Sequence, residues 1–192
     1  VATEAIQAAL DQGYRVTTNT TVFNSVDETD LIEMFRMVTK MGVEGAMVSP
    51  GYHFDTIPNQ DLFISRQNAR KVFRNLLTPD RGIRFYNNPL YLEFLKGARE
   101  YQCTAWSNPT YTVMGWREPC YLLGDRHTQD IEDLYSDELW DRFGVGNDPR
   151  CAHCLMHCGF ESASIFSAIG NPKEAYKLVK AGGVRNSGVG AS

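Results

Sequence analysis

The sequence has no long apolar run, no excess of positive charge and few cysteines. None of its hydrophobic stretches approaches the roughly 20 residues that a membrane-spanning helix requires, so we expect no transmembrane segment. Its 19 lysines and arginines are outnumbered by 23 aspartates and glutamates, and the net charge of −4 argues against general binding to nucleic acid. The hydrophobic share of 43% is that of an ordinary globular protein, which predicts an adequate core.

Cysteine is absent from the first 102 residues, and all five cysteines lie between positions 103 and 158. An odd number disfavours a complete disulfide framework. The cysteines form two groups, C-x11-G-x4-C from Cys103 to Cys120 and C-x2-C-x3-C at Cys151, Cys154 and Cys158. Thiolates are preferred ligands of zinc and of iron–sulfur clusters, and a C-x2-C turn lets two sulfurs approach one metal or cluster. The pattern therefore predicts a metal site that uses four of the five cysteines.

The spacing leaves the kind of metal and one of the ligands open. Four thiolates suit a structural zinc ion and a [4Fe–4S] cluster equally well. We interpret Cys103, Cys120, Cys151 and Cys154 as the ligands, and Cys158 as the surplus thiol. Cys158 could instead replace Cys154 as a ligand, be a small buried hydrophobic residue, or donate a hydrogen atom.

The N-terminal part of the chain alternates helices and strands with short connections. The spacing of apolar residues predicts a helix over residues 2–12 and, after the capping box Ser25-x-x-Glu28, a second helix that ends at Gly42. The runs 14–23 and 43–48 are rich in β-branched and apolar residues, which is typical of strands. This order is typical of parallel βα units in an α/β fold.

Polar residues lie near the ends of both predicted strands. We expect the first strand to end at Asn19 and Thr20, and Ser49 and Tyr52 follow the second strand. Ligands of parallel α/β folds bind at the carboxyl ends of strands, so these four are candidate binding residues. Two alternatives stay open, because Asn19 and Thr20 could merely cap the following turn and Tyr52 could pack within its loop.

The remainder of the chain is predicted to be mostly helical. Helices are expected from about Ser65 and from Asn88-Pro89, where the asparagine can cap the helix and the proline fits its first position. Further helices are expected over residues 131–143 and from Asn171 to Val179, with a disordered tail from residue 182.

Residues 103–120 are predicted to form a β-hairpin after the Asn108-Pro109 turn. Its aromatic residues could line an apolar pocket or simply pack the hairpin, and they include Trp106, Tyr111 and Trp116.

We divide the chain into four predicted parts. They are the βα units over 1–62, a helical connector over 63–100, a cysteine-rich domain over 101–165, and a C-terminal helix with a disordered tail over 166–192.

Several stretches resemble radical S-adenosylmethionine enzymes. TTNTTVF, followed by a helix and then by GAMVSPGY, resembles the last two βα units of their barrel. The C-x11-G-x4-C pair resembles the first cysteine pair of the SPASM and twitch domains, which hold auxiliary clusters. As a set, SPGYHFDTIPNQDLF, YQCTAW, NPTYTVMGWREPCYLL and CAHCLMHCGFE resemble the adenosylhopene synthases of hopanoid biosynthesis, over roughly residues 1–165.

The resemblance implies an α/β fold, in which the last βα units of a TIM-like partial barrel precede a small α+β cysteine-rich auxiliary domain. It implies an enzyme that adds the 5′-deoxyadenosyl group of S-adenosylmethionine to a hopene such as diploptene, making adenosylhopane. By the same resemblance, Asn19, Thr20 and Ser49 contact S-adenosylmethionine and Tyr52 acts at the catalytic rim. The cysteines then hold an auxiliary [4Fe–4S] cluster.

The implied partners are a hopene-type polycyclic lipid and a reductase or flavodoxin as electron donor, with no nucleic acid. The implied location is the cytoplasm, with peripheral contact at the inner face of the membrane. Two other functions stay open. One is a radical S-adenosylmethionine enzyme that acts on another substrate such as a peptide, and the other is a structural zinc-binding module.

One motif of the radical S-adenosylmethionine family is missing. The C-x3-C-x2-C motif that holds the S-adenosylmethionine-binding cluster does not occur in this sequence, and the sequence begins with Val1 in a helical pattern. We therefore expect a fragment of a longer enzyme that is inactive alone.

Overall fold

The computed structural model describes residues 1–52 and 57–186, and these form a mixed α/β fold with two small sheets. The prediction of an α/β fold is confirmed at this coarse level. The helices are α1 (Ala2–Asp11), α2 (Glu28–Met41), α3 (Arg66–Leu76), α4 (Pro89–Leu95), α5 (Asp137–Trp140), α6 (His157–Phe166) and α7 (Pro172–Asn186). The strands are β1 (Thr17–Val22), β2 (Gly45–Pro50), β3 (Tyr111–Thr112), β4 (Gly115–Glu118) and β5 (Arg126–Thr128). Within the described ranges, no helix has the length and apolar character needed to cross a membrane.

The first sheet contains the parallel pair β1 and β2, which α2 connects. Thr17 lies opposite Gly45 at one end of the pair, and Val22 lies opposite Pro50 at the other. On its other side, β2 meets an extended segment, because Ala46 forms a parallel bridge with Phe85. As far as the structure describes the chain, β1 therefore pairs on one side only and is an edge strand.

Helix α2 begins differently from the prediction. The capping box at Ser25 is wrong, because the carboxylate of Asp27 caps the helix and accepts hydrogen bonds from the backbone N–H groups of Thr29 (2.7 Å) and Asp30 (3.2 Å). Glu28 is therefore the first helical residue rather than the third, and its carboxylate accepts from Asn75 at 2.5 Å instead. The helix ends as expected at Gly42, where φ is 99° and a residue without Cβ is favoured.

One hydrophobic core joins the N-terminal sheet to the cysteine-rich segment. Phe35 of α2, Phe73 of α3 and Phe94 of α4 are fully buried in it, together with Phe160 of α6. The rings of Phe94 and Phe160 stack with their centroids 4.5 Å apart. The core is thus continuous across the two predicted boundaries, between residues 62 and 63 and between residues 100 and 101. The proposed domain boundaries stay a prediction.

The second sheet is antiparallel and has the order β3-β4-β5. It contains the predicted hairpin in a shortened form, with Tyr111 opposite Trp116. The helix predicted over 131–143 is broken into a 3-10 turn over Glu132–Tyr135 and the four-residue helix α5. Leu134 and Leu139 are both buried. A spacing of five places them on different faces of an unbroken helix, so the chain bends between them at Ser136.

Two helices near the C-terminus depart from the prediction. The sequence pattern did not indicate α6, and α7 continues to Asn186, beyond the predicted end at Val179. Glycine in a helix costs only about 1 kcal/mol relative to alanine, so Gly182 and Gly183 weaken the helix without ending it. The tail was expected to be disordered from residue 182; residues 182–186 are helical, and 187–192 lie outside the described residues.

Candidate functional site

All five cysteines line a single cavity of about 30 Å³, which we call the cysteine cavity. Their sulfurs are free thiols. Cys103 precedes a short helical turn and Cys120 follows β4. Cys151 ends the 3-10 turn Pro149–Cys151, Cys154 lies in the loop that follows, and Cys158 lies in the first turn of α6. The remaining lining is mostly apolar, and it consists of Tyr52, Ala105, Leu122, Leu123, Gly144, Val145 and Phe160. The structure therefore brings together five thiols from three separate stretches of the chain.

Cys103 reaches the cavity because its segment packs directly on the start of α6. The backbone N–H of Thr104 donates to the carbonyl of Gly159 at 3.0 Å. A Cβ atom at Gly159 would lie 2.3 Å from the sulfur of Cys103, which is closer than any real contact. A glycine at this position is therefore required for the sulfur of Cys103 to approach the helix.

Three side chains hold the loop that carries Cys151, Cys154 and Cys158. Tyr52 donates its hydroxyl to the carbonyl of Arg150 (2.9 Å), and Tyr91 donates to the carbonyl of Leu155 (2.8 Å). Arg66 donates to the carbonyl of Cys154 at 2.8 Å. The roles of Arg66 and Tyr91 could not be predicted from the sequence, because each partner is a backbone carbonyl that is distant in sequence.

Burial raises the pKa of every cysteine thiol in the cavity. For Cys103 and Cys158 the pKa reaches about 12, and for Cys154 it lies well above the ordinary value. Burial also raises the pKa of Cys120 and Cys151. Other thiolates nearby raise the pKa further, because negative sulfurs repel each other. Without a cation the thiols are thus neutral at pH 7.

Backbone N–H groups lower the pKa of each cysteine thiol and so oppose the effect of burial. They donate to the sulfurs and favour the thiolate, and the donors are Ala105 for Cys103, Leu122 and Leu123 for Cys120, Gly144 for Cys151, Met156 for Cys154 and Gly159 for Cys158. Hydrogen bonds to sulfur are a means by which proteins tune bound iron–sulfur clusters. The cavity therefore supplies both the sulfurs and the donors that stabilise their charge.

The donor chemistry fits a metal centre, but the cavity as it stands is narrow. Its volume of about 30 Å³ corresponds to one water molecule, so a cluster would require the surrounding side chains to move outward. Within residues 1–52 and 57–186, no group of three or more His, Cys, Asp or Glu side chains is arranged to hold a single metal ion. The identity of any metal, and the choice of four ligands, stay predictions.

The candidate residues of the βα units are not all where we expected them. Asn19 and Thr20 lie in the middle of β1, opposite Met47 and Val48, and not at its end. The β-branched residues Thr21 and Val22 continue the pairing with β2, and this extends the strand beyond them. Asn19 is exposed, and neither Asn19 nor Thr20 lines the cysteine cavity.

Ser49 and Tyr52 are both buried. Ser49 lies near the carboxyl end of β2, opposite Thr21. Tyr52 lines the cysteine cavity, and burial followed by the nearby cysteine sulfurs raises the pKa of its phenol. The structure therefore brings Tyr52, and not Asn19 or Thr20, to the cysteines. Whether these four residues bind a ligand stays a prediction.

The hairpin aromatics pack with each other and with α6. The ring of Trp106 stacks on Phe166 at 5.5 Å, and Tyr111 meets the edge of Trp116 at 4.9 Å. None of Trp106, Tyr111 and Trp116 lines the cysteine cavity. Tyr121 is different, because its hydroxyl donates a hydrogen bond to the sulfur of Cys158.

A comparison with protein families identifies residues 46–178 as a domain of unknown function, DUF3463. The chain belongs to the DUF3463 family. The DUF3463 domain starts within β2 and ends within α7, and it therefore contains all five cysteines together with Tyr52, Arg66 and Tyr91. Neither the curated proteins nor the solved structures include a match to this chain.

Proposed function

We propose that this chain is part of a radical S-adenosylmethionine enzyme, and that its DUF3463 domain holds an additional [4Fe–4S] cluster. The observation that carries the proposal is the cysteine cavity, where five free thiols meet and each sulfur accepts at least one backbone hydrogen bond. Four thiolates are the usual ligand set of such a cluster. When bound, the cluster would supply electron transfer or an iron atom that anchors a substrate.

The protein groups around the cavity have defined tasks under this proposal. Backbone N–H groups stabilise the negative sulfurs, and Leu122, Val145 and Phe160 exclude water. Tyr52, Tyr91 and Arg66 fix the loop that carries three of the cysteines. These contacts would hold the backbone of that loop whether or not the metal is present.

The parallel pair β1 and β2 supports the proposal for the rest of the enzyme. Its polar residues Asn19, Thr20 and Ser49 would contact S-adenosylmethionine, with the C-x3-C-x2-C motif supplied upstream of this chain. The resemblance in sequence points to a hopene such as diploptene as the substrate. Reductive cleavage of S-adenosylmethionine by one electron would give methionine and a 5′-deoxyadenosyl radical. That radical would add to the alkene, and a second electron with a proton would convert the resulting carbon radical to adenosylhopane. A reductase or flavodoxin would supply both electrons.

The test of the cluster is metal analysis of the chain purified without oxygen and reconstituted with iron and sulfide. We expect about four irons and four sulfides per chain, with a visible absorption that disappears on reduction. A matched control replaces Cys103 and Cys120 by alanine and should abolish binding. Zinc without sulfide would contradict the proposal and identify the structural zinc-binding module instead.

The test of the reaction uses two proteins. The chain alone should not release 5′-deoxyadenosine from S-adenosylmethionine, whereas the full-length enzyme with a reductant should join the deoxyadenosyl group to diploptene. Mass spectrometry compares the lipid adduct with free 5′-deoxyadenosine, and a panel of peptides is assayed alongside. If a peptide is modified and no lipid adduct forms, the lipid substrate is wrong. The assignment to the radical S-adenosylmethionine enzymes would then still stand.

A further inference from the structure

The five thiols of the cysteine cavity are not equivalent, and we infer that Cys103, Cys120, Cys154 and Cys158 bind the cluster while Cys151 stays a free thiol at its edge. This inference rests on the proposed function and specifies its ligands. It reverses our expectation that Cys158 is the surplus thiol. The argument depends on which sulfurs lie against each other and on what surrounds them.

Packing separates Cys151 from the other four cysteines. Cys103 and Cys154 pack against the main core. Cys120 and Cys154 also pack against a second apolar cluster of Tyr52, Leu122, Met156 and Cys158. Cys151 is a member of neither cluster. Cys154 therefore joins the apolar cluster that Cys103 packs against to the one that contains Cys158 and packs against Cys120.

Contacts of neighbouring residues bring Cys158 close to Cys103 and Cys120. Cys103 packs so closely on Gly159 that a Cβ there would overlap its sulfur, and Gly159 is the neighbour of Cys158. Tyr121, the neighbour of Cys120, donates its hydroxyl to the sulfur of Cys158. Cys158 also lies in the first turn of α6, where the positive end of the helix dipole favours a thiolate.

Electrostatic contacts agree with this grouping. Each of the six pairs among Cys103, Cys120, Cys154 and Cys158 would repel as thiolates, so all four sulfurs lie within electrostatic reach of one another. Cys151 is coupled to the sulfurs of Cys103 and Cys120 as well, and its other charged neighbours are Asp148 and Arg150.

The surroundings of Cys151 are polar. Arg150, which precedes it, forms a two-point ion pair with Asp125 at 2.7 and 2.8 Å and a third contact with Asp148 at 2.7 Å. The hydrogen bond to the sulfur of Cys151 comes from Gly144, whereas each of the other four sulfurs is bonded by an N–H group one to three residues further along its own segment. Cys151 therefore lies where apolar packing gives way to the polar surface.

The experiment compares five single cysteine-to-alanine variants of the chain, each reconstituted without oxygen. We expect Cys151→Ala to keep the iron and sulfide content of the unaltered chain and, after reduction, its electron paramagnetic resonance signal. Each of the other four variants should lose most of its iron and sulfide. Far-ultraviolet circular dichroism of the metal-free proteins controls for folding.

A second measurement avoids substitutions altogether. The loaded, unaltered chain is treated with iodoacetamide, and peptide mapping locates the modified thiol. We expect a single modification, at Cys151, and modification of all five cysteines after the metal is removed under denaturing conditions. Modification of Cys158 with protection of Cys151 would overturn the inference, as would loss of the cluster from Cys151→Ala.

The outcomes distinguish this inference from the proposed function. If the unaltered chain binds an iron–sulfur cluster but Cys158→Ala keeps it, the ligand assignment fails and the function stands. If the chain binds zinc, the proposed function fails, and zinc retention by the same five variants decides the ligand set. A chain that binds neither metal would overturn both.

Discussion

At the scale of single residues, the cysteines are positioned by side chains that no cysteine motif indicates. Tyr91 is fully buried, and its hydroxyl satisfies the carbonyl of Leu155, which is also buried. Because the two residues are 64 positions apart, sequence spacing could not reveal the contact. The pair connects α4 to the loop between Cys154 and Cys158.

Removing the hydroxyl of Tyr91 should therefore destabilise the protein. In Tyr91→Phe the carbonyl of Leu155 keeps its burial but loses its donor, which costs about 1–3 kcal/mol of unfolding free energy. Urea unfolding of the metal-free protein measures this loss. The matched control is Tyr176→Phe, at a tyrosine that is 66% exposed, and it should change the unfolding free energy little. Equal effects of the two substitutions would show that the hydroxyl of Tyr91 is not needed.

The close approach of Cys103 to Gly159 gives a second prediction at this scale. Gly159→Ala should destabilise the metal-free protein and reduce metal loading, because the new Cβ would lie 2.3 Å from the sulfur of Cys103. In a Cys103→Ala background the same change should be neutral or should stabilise by up to about 1 kcal/mol, since alanine is the better helix former. Urea unfolding is measured for the unaltered chain, for each of the two single variants and for the double variant, which together form a double-mutant cycle. If Gly159→Ala lowers the unfolding free energy equally with and without the sulfur of Cys103, the contact between them is wrong.

At the scale of elements, the sequence predicted those helices whose ends carry their own signals. Ser65 caps α3 and Asn88-Pro89 starts α4, as expected, because each cap is decided within a few residues. Helix α6 and the break at Ser136 were missed, because tertiary burial of Phe160, Leu134 and Leu139 decides them. The strand predicted over 14–23 starts later, at Thr17, and ends at Val22, so Asn19 lies within it and not at its end.

The packing of α7 on α4 should depend on pH. Glu93 is partly buried, which alone would raise its pKa, but hydrogen bonds from Lys177 and Arg99 lower the pKa below its ordinary value. The carboxylate therefore stabilises the fold at neutral pH, and this stability is lost as the pH falls through about 4.5 and below. Glu93→Gln should cost on the order of 1 kcal/mol at pH 7 and little at pH 3.

Chemical denaturation at the two pH values measures the effect at Glu93. The control is Glu138→Gln, at an exposed position on α5, which should show no such difference. If Glu93→Gln lowers stability equally at both pH values, the ion pairs with α7 do not contribute.

At the scale of the whole molecule, the candidate site depends on a core that spans the chain. The spacing of the cysteines indicated a metal site, but not that Cys103 and Cys158 would meet, because they are separated by more than 50 residues. They meet because Phe160 and Leu155 pack into the same core as Phe35 and Phe73. The choice of Cys151 as the free thiol likewise depends on packing and not on spacing.

This shared core predicts cooperative unfolding. All three tryptophans lie between residues 106 and 140, whereas α1 to α4 contain none. Unfolding followed by tryptophan fluorescence should therefore coincide with unfolding followed by circular dichroism. Phe160→Ala should lower the unfolding free energy by about 3–5 kcal/mol and shift both probes together. Ile169→Ala, at a residue that is 77% exposed, is the control. Two separate transitions would show that the segments fold independently.

The edge position of β1 has a consequence for the behaviour of the protein in solution. An unpaired strand edge presents N–H and C=O groups that can pair with another copy, and β1 is rich in threonine, which favours strands. We therefore expect the apparent molar mass from light scattering to rise with protein concentration. A lysine at the exposed position Asn19 would place a charge on that edge and should keep the chains apart.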